Sequence, residues 1–487
     1  KLDEQIQALE EMRRNIQINN DKMFFVKIEF RVNAESIEEL NEKSNILRDE
    51  FSNRSCEIKT LYFKQLEALK ETLPINNNLL EENTRNMTAE GVATLFPIAR
   101  AKADTSEGIY LGRDLFTGLP INLETFSKEL SNANIAIFGI PGSGKSVATK
   151  IITGRNVILG RRTATIDIEG EYVKLTENLG GRVIKVRQGI PVGINLFDID
   201  IDEDEDFIDI DAKITEIRAI IYGIIDKYEN RALKPYEIAD IEKAVKEVYD
   251  ERGINKDKKS IYEKEGGRIE GKITLGKIKK KMPTLSDFHR VMRDKIGNKE
   301  LASTLSNFLI GNTLGVFDCQ STLKVNDQVI CFDISEIRDE IMKFYVCLVL
   351  TTWITNKYMA TKERNERFVT VDEAWNIFKN KVTSDFLEDL ARRARKKKVS
   401  LILATQNLAE MKQSRQAEAI VNCCDTILLF KQPLGSIDEI MTFFKLPSGA
   451  RNILLNAKPG ECILIRANTV RAVKVEMTDF ESEFVTT

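Results

Sequence analysis

Sixteen residues constrain this chain more than any others: IAIFGIPGSGKSVATK, positions 135–150. Apolar residues of strand character run into a glycine-rich turn, and Lys-Ser then opens a helical pattern. Gly139, Gly144, Lys145 and Ser146 fit the spacing G-x-x-x-x-G-K-S, and a strand, turn and helix start are the setting in which that spacing works physically. Glycines let successive backbone N–H groups turn inward around an anion, and the helix N-terminus adds partial positive charge. The stretch therefore predicts a phosphate cradle, the Walker A loop, from Gly139, Pro141, Gly142, Ser143, Gly144, Lys145, Ser146 and Val147. Lys145 is expected to reach β- and γ-phosphate oxygens, and the Ser146 hydroxyl to take a Mg²⁺ position.

The flanking pattern fits a fold that can carry such a loop. Strand-like runs at 134–138, 163–167, 182–186, 368–372, 399–404 and 426–430 alternate with helical segments, which predicts an α/β fold: a mostly parallel sheet covered on both faces. A hairpin turning at Thr117-Gly118 precedes the first of these strands, and a second hairpin closes the chain after Gly460. Between 196 and 290 the alternation breaks into an acidic loop (DIDIDEDEDFIDID), two amphipathic helical patterns and a lysine-rich arm at 253–281. This reads as an inserted helical subdomain, its arm a solvated loop or a polyanion contact. The N-terminal segment reads as a small α+β domain, with helical spacing over 2–16, alternation from Val26 to Val32, a helix from Ile37 to Phe51, a strand at CEIKTLYF and a helix around Leu66 and Leu69. The expected layout is thus 1–90 for that domain, 91–195 and 291–487 for the two parts of the nucleotide domain, and 196–290 for the insertion.

Two further motifs belong to the same chemistry. RFVTVDEAW places strand character before Asp372-Glu373, the Walker B arrangement: Asp372 is expected to hold Mg²⁺ and Glu373 to polarise an attacking water, though two acids there could simply cap the next helix. The strand VSLILAT ends at Gln406, an amide that can sense the γ-phosphate or orient the water. Upstream of it, LARRARKKK carries Arg392, Arg393 and Arg395. In a ring ATPase one of them, Arg395 or Arg392 first, would enter a neighbour's site as an arginine finger, with Arg451 and Arg466 as other candidates; solvated helix charge explains the same run. Asp167, Glu169 and Glu171 in TIDIEGEY stand near enough to approach a cation or water, and turn chemistry explains them equally.

Composition removes competing classes. A formal net charge of −3 gives no global basic field for nucleic acid, so any such surface is local. Seven cysteines without a C-x-x-C pair favour buried thiols in a reducing compartment over a disulfide or zinc framework. The single histidine, His289, excludes His-rich metal sites and is expected on a helix surface. The longest apolar run, at 344–354, falls short of the ~20 residues a membrane helix needs, and no signal peptide is evident. Neither an N-K-x-D box nor L-S-G-G-Q occurs, which argues against GTPase and ABC transporter readings.

Taken together, GIPGSGKS, TIDIEGEY, FVTVDEAW and RRARKKKVSLILATQN, with a large helical insertion, resemble the FtsK/HerA class of RecA-like motor ATPases. More closely, a small N-terminal domain ending in QLEALKETLP, followed by GIYLGRDLFTGLPINL, resembles the VirB/TraC/TrbE-type ATPases of conjugative type IV secretion. That resemblance implies a RecA-like fold, ATP and Mg²⁺ as cofactors, and a hexameric ring when active. It also implies a cytoplasmic place, peripheral at the inner face of the cell membrane, against membrane-embedded channel components and a coupling protein, with weak or no specific nucleic-acid binding. Such ATPases carry a longer N-terminal domain, and the chain begins at Lys1 without methionine, so the expectation is that the start of this domain is missing. A double-stranded DNA translocase of the same class and a nucleotide-switched scaffold are the alternative readings.

Overall fold

The computed structural model describes residues 22–52, 57–73, 79–80, 84–95, 107–199, 207–269, 272–323, 327–358, 365–374, 381–406, 415–467 and 469–486, with residues 6, 10 and 13. The chain divides into compact units at 1–101 and 102–487, where the sequence suggests a boundary near 90.

In the first unit, β1 (Met23–Val26) pairs antiparallel with β2 (Arg85–Thr88), Met23 opposite Thr88. Helices α1 (Ile37–Ser52), α2 (Gln65–Glu71) and α3 (Ala89–Leu95) accompany them, the first two where helical spacing predicts them. The strand expected over 26–32 is a correction: pairing stops at Val26, and 57–63 of CEIKTLYF form no strand either. Alternation marks a segment able to present one apolar face, but a strand also needs a neighbour to take its N–H and C=O groups. Leu80 is the one buried hydrophobic residue among those described here. Of the helix expected over 2–16 only residues 6, 10 and 13 are described, each helical, and the thiol of Cys56 lies outside the described residues.

The second unit is built on an eleven-stranded sheet. In chain order its strands are β3 (Ile109–Asp114), β4 (Pro120–Leu123), β5 (Ile135–Phe138), β6 (Arg162–Asp167), β7 (Arg182–Lys185), β10 (Val329–Asp333), β11 (Arg367–Val371), β12 (Val399–Thr405), β13 (Thr426–Leu429), β14 (Glu461–Arg466) and β15 (Thr469–Val475). They lie in the order β4-β3-β15-β14-β13-β5-β12-β11-β6-β10-β7. From β13 to β7 every pairing is parallel, and both hairpins add antiparallel strands beyond β13. The six expected core strands are all present. A seventh, β10 with the run VICFD, is buried throughout and sits between β6 and β7.

Because successive strand side chains point to opposite faces, each parallel strand feeds two cores. Ile135 and Ile137 pack with Ala148 and Ile152 of α4 (Lys145–Ile158), which β6 and α5 (Val173–Asn178) follow in the chain, whereas Ala136 and Phe138 join the larger core on the other face. That larger core also takes Ile217, Ile220, Ile221 and Ile224 of α6 (Ile210–Glu229), Ile241 and Val245 of α7 (Pro235–Glu251), Phe288 of α8 (Leu285–Val291), Leu348 of α9 (Glu340–Trp353) and Leu390 of α10 (Lys381–Arg393). Each such side chain is worth about 1.5–3 kcal/mol on full burial. The inserted helices are therefore part of the main core's covering layer.

The basic arm is the second correction. It forms an antiparallel hairpin, β8 (Tyr262–Ile269) with β9 (Lys272–Lys279), in place of a loop. Two of its terminal lysines turn inward: Lys279 Nζ meets Asp198 Oδ1 and the Ile199 carbonyl, each at 2.6 Å, and Lys280 Nζ donates to the Arg252 carbonyl at 2.9 Å. Asp198 is also held by Lys357 at 2.6 Å. Burial alone would raise the Asp198 carboxyl, but Lys357 and Lys279 outweigh it and hold the group at about 2. The middle of the acidic loop, 200–206, lies outside the described residues. His289 is half-buried on α8, and burial lowers its pKa.

Candidate nucleotide site

β5 ends at Phe138, and the loop that follows is shaped by the residues the sequence singles out. Ser143 folds back on its own turn, its N–H and hydroxyl both donating to the Ile140 carbonyl at 3.2 and 2.7 Å. Gly142 and Gly144 adopt φ of 74° and 98°, a left-handed region costing an L side chain about 1–2 kcal/mol. A Cβ on Gly142 would meet nothing within 4 Å, so its demand is conformational; one on Gly144 would lie 2.7 Å from Gly460 N. Gly139 packs against Phe430, Pro141 and Gly142 are exposed, and Ser146 and Val147 are half-buried in the first turn of α4. Gly460 is a functional position that sequence reasoning missed. At the root of the β14–β15 hairpin its N–H donates to the Ser143 carbonyl at 3.0 Å, which braces the loop from the far end of the chain. The Pro-Gly pair at 459–460 signals a turn, though not what the turn touches.

Asp372 and Glu373 follow β11, and Gln406 follows β12, one strand nearer β5. All three reach the cradle. Lys145 Nζ lies 2.8 Å from Glu373 Oε1 and 3.9 Å from Asp372 Oδ1, with its side chain and both carboxylates almost wholly buried. Gln406 Nε2 donates to the same Glu373 oxygen at 2.7 Å. Glu373 itself has φ of 47°, a strained backbone of the kind that gathers at functional sites. Its neighbours fix it: Glu373 N–H donates to Asp372 Oδ1 at 2.9 Å and Ala374 N–H to the Ala404 carbonyl at 3.0 Å. Burial pushes the Asp372 carboxyl up to about 6 against the lowering effect of Lys145. A buried carboxylate after one strand, with the hydroxyl of Ser146 beside Lys145 at the start of α4, supplies the hard oxygen donors that suit Mg²⁺.

TIDIEGEY takes a different role from the cation approach considered for it. Asp167 accepts the backbone N–H groups of Gly170, Glu171 and Tyr172 at 2.9, 3.0 and 2.8 Å, so it is consumed in shaping the turn. Glu169 is exposed, and Glu171 lies 3.3 Å from the buried ammonium of Lys150 on α4. Lys150 had no sequence signal, since a lysine one turn into a helix is ordinarily solvated.

The arginines stand elsewhere. Arg392 pairs with Glu388 and Arg393 with Asp389, each one helical turn back on α10, and Arg395 donates to the Ser131 carbonyl. They precede β12 while Gln406 follows it, and seven residues of strand span about 23 Å. Within one chain they are remote from the cradle. Arg451 pairs with Asp438, and Arg466 donates to the Glu124 carbonyl at 2.6 Å.

A family model described as the TraG P-loop domain matches residues 108–460, almost all of the second unit. The chain belongs to the TraG P-loop family. Among solved structures it is similar to VirB4 of Thermoanaerobacter pseudethanolicus, with a TM-score of 0.63 and 22% identity, over 77% of this chain and 98% of that one. The bacterial conjugative coupling protein TrwBdeltaN70 shares the fold more distantly, with a TM-score of 0.50 and 10% identity over 78% of this chain and 92% of that one. These likenesses establish the RecA-like fold. The type IV secretion system protein virB4 of Bartonella henselae is 26% identical over 157 residues, and that of Bartonella quintana 25%. The matched stretch covers 31% of this chain and 19% of the length of either relative.

Proposed function

We propose that the chain is the motor ATPase of a type IV secretion or conjugative transfer machine, hydrolysing ATP with Mg²⁺. The observation that carries the reading is the convergence of Lys145, Asp372, Glu373 and Gln406 from three neighbouring strands onto one glycine-rich loop. Family membership and the Bartonella relatives, named as type IV secretion proteins, support the biological setting.

Lys145 and Gln406 both hold Glu373 Oε1. Phosphate oxygens offer Lys145 a stronger, more highly charged partner, so binding ATP draws Lys145 from Glu373 and frees the carboxylate for a water. In this reading Gln406 orients that water, which its hydrogen bond to Glu373 supports, and Glu373 then accepts the water's proton as the γ-phosphoryl group departs. Ser146 and Asp372 would hold Mg²⁺, which supplies positive charge against the phosphate oxygens. In this reading the remote Arg395 or Arg392 serves a neighbour's site in a hexameric ring. The reading extends to contact with membrane-embedded channel components and a coupling protein, peripheral at the inner face, which the type IV secretion setting of the relatives supports; among the described residues no helix is long and apolar enough to cross a membrane.

The test is Mg·ATP binding and phosphate release by the parent and by Lys145→Ala. Loss of binding in the variant supports the site; equal affinity and turnover in both refutes it.

A further inference from the structure

A nucleotide on the glycine-rich loop has a direction. Glu373 and Gln406 follow β11 and β12, on one side of β5, so the γ-phosphate end points that way and the α-phosphate and ribose extend to the other side, toward β13 and β14. On that side the chain supplies the turn 457–460, which leads into β14. Because β14 runs antiparallel to β13, with Ile463 opposite Leu429, the turn stands at the same edge of the sheet as the loop.

The turn touches the loop directly. Gly460 N–H donates to the Ser143 carbonyl at 3.0 Å, and a Cβ placed on Gly144 would lie 2.7 Å from Gly460 N and 3.7 Å from the Pro459 carbonyl carbon. Its backbone is pinned elsewhere too: Glu461 N–H donates to the Lys458 carbonyl and Lys458 N–H to Glu461 Oε2, both at 2.9 Å, and Val475 N–H donates to the Gly460 carbonyl at 2.8 Å. Ala457 is buried and Lys458 exposed, so the lysine side chain leaves the body of the protein at the rim of the loop. The carboxylate beside it, Glu461, is spent on the Lys458 N–H, and the Lys458 ammonium has no hydrogen-bond or ion-pair partner among the described residues. Lys145, by contrast, is held by Glu373.

We propose that Lys458 is a further nucleotide-binding residue: its ammonium takes the α-phosphate, at the end of the nucleotide remote from Glu373, while Lys145 serves the β- and γ-phosphates. This rests on the nucleotide-site reading above. The lysine's four-carbon stem is rooted one residue from the contact with Gly144, which puts a phosphate on the loop within its reach. A backbone already fixed by the loop leaves only side-chain freedom to lose on binding, and a charge-assisted bond to phosphate is among the stronger hydrogen bonds.

The experiment uses the full chain as parent, Lys458→Ala, Lys458→Arg and Lys128→Ala. It measures the melting of each and, by titration calorimetry with Mg²⁺, its affinity for a slowly hydrolysed ATP analogue, for ADP and for inorganic pyrophosphate. Lys128 is exposed in the loop before β5, whereas the phosphate loop follows that strand, so its loss changes net charge equally at the other edge of the sheet. Lys458→Ala should melt with the parent and bind the ATP analogue and ADP about five- to tenfold more weakly, by equal factors, as for a hydrogen bond to a charged group at a partly exposed site. Pyrophosphate, which fills only the β and γ positions, should bind as it does to the parent. Lys458→Arg should keep most of the affinity and Lys128→Ala all of it. Unchanged affinity in Lys458→Ala, a loss confined to the ATP analogue or shared by pyrophosphate, or an equal loss in Lys128→Ala overturns the inference alone. A parent that binds neither the ATP analogue nor ADP overturns the site reading and the inference together.

Discussion

Replacing Glu373 by Gln should tighten nucleotide binding while abolishing turnover, and the two effects have separate origins in the geometry. Lys145 is committed to Glu373 Oε1 at 2.8 Å, with both side chains almost wholly buried. A hydrogen bond to a charged group contributes about 1.5–3 kcal/mol, and charge-assisted bonds are roughly twice as strong as neutral ones. Glutamine retains an oxygen that can accept from Lys145 and Gln406 but loses the ionic half of the interaction. The nucleotide-free state is thereby destabilised by about 1 kcal/mol relative to the bound one, or about fivefold in Kd at 1.4 kcal/mol per decade. Removing a negative charge facing the phosphates acts in the same direction. Turnover, in contrast, loses the group that takes the water's proton, worth about 10²–10⁴ in rate. Titration calorimetry with a slowly hydrolysed ATP analogue reads the first effect, and phosphate release under saturating Mg·ATP the second. Unchanged or weaker affinity would show that Lys145 is not restrained by Glu373, and retained turnover would remove Glu373 from the chemistry.

Acid should weaken cation binding early. The folded-state carboxyl of Asp372 stands at about 6, above its unfolded value of 3.8, so its contribution to the stability of the nucleotide-free chain is complete below 3.8 and is lost as pH rises through about 6. Mg²⁺ needs the deprotonated form, and its apparent affinity should fall by about tenfold per unit below that value; a Mg²⁺ titration of nucleotide binding between pH 5 and 8 that shows no such limb would refute this. If Arg395 acts on a neighbour, specific activity should fall on dilution and Arg395→Ala should poison mixed rings; constant activity in a monodisperse monomer would leave the arginines as solvated charge. Changing Lys279, Lys280 and Lys281 together to Ala should lower unfolding stability in urea on the order of 1 kcal/mol, because Asp198 keeps Lys357 and Lys279 is more than a third exposed. Weak, salt-sensitive DNA binding by the parent should survive that change; DNA-stimulated turnover abolished by it would promote the DNA translocase reading.

Much of the nucleotide domain is legible in the sequence because its signals are local. Gly142 and Gly144 are readable because both take a left-handed backbone, the sole demand at Gly142, whereas the close approach of Gly460 to Gly144 is a second demand with no local signal. The strands leading to Asp372-Glu373 and Gln406 are readable because a parallel sheet covered on both faces requires short, almost wholly apolar runs. The same signal misses VICFD at 329–333, a five-residue run with no glycine-rich turn or helix cap to separate it from other buried segments. Alternation also misleads at 27–32 and 57–63, which form no strand among the described residues.

What the sequence by itself determined is the loop, the order of the sheet-forming runs and the chemical types at their ends. Only the tertiary structure decided which of these meet. Lys145 and Glu373 are separated by 228 positions, and no local preference specifies that β11 lies two strands from β5 with β12 between them. That order comes from packing helices onto both faces of the sheet, a property of the whole unit. The same holds for Gly460 braced against the loop, for Lys150 buried beside Glu171, and for Asp167 shaping a turn while Asp372, an equally acidic strand end on the adjacent strand, faces the cradle. A carboxylate's role here follows from the donors that surround it, and those donors are supplied by distant parts of the chain.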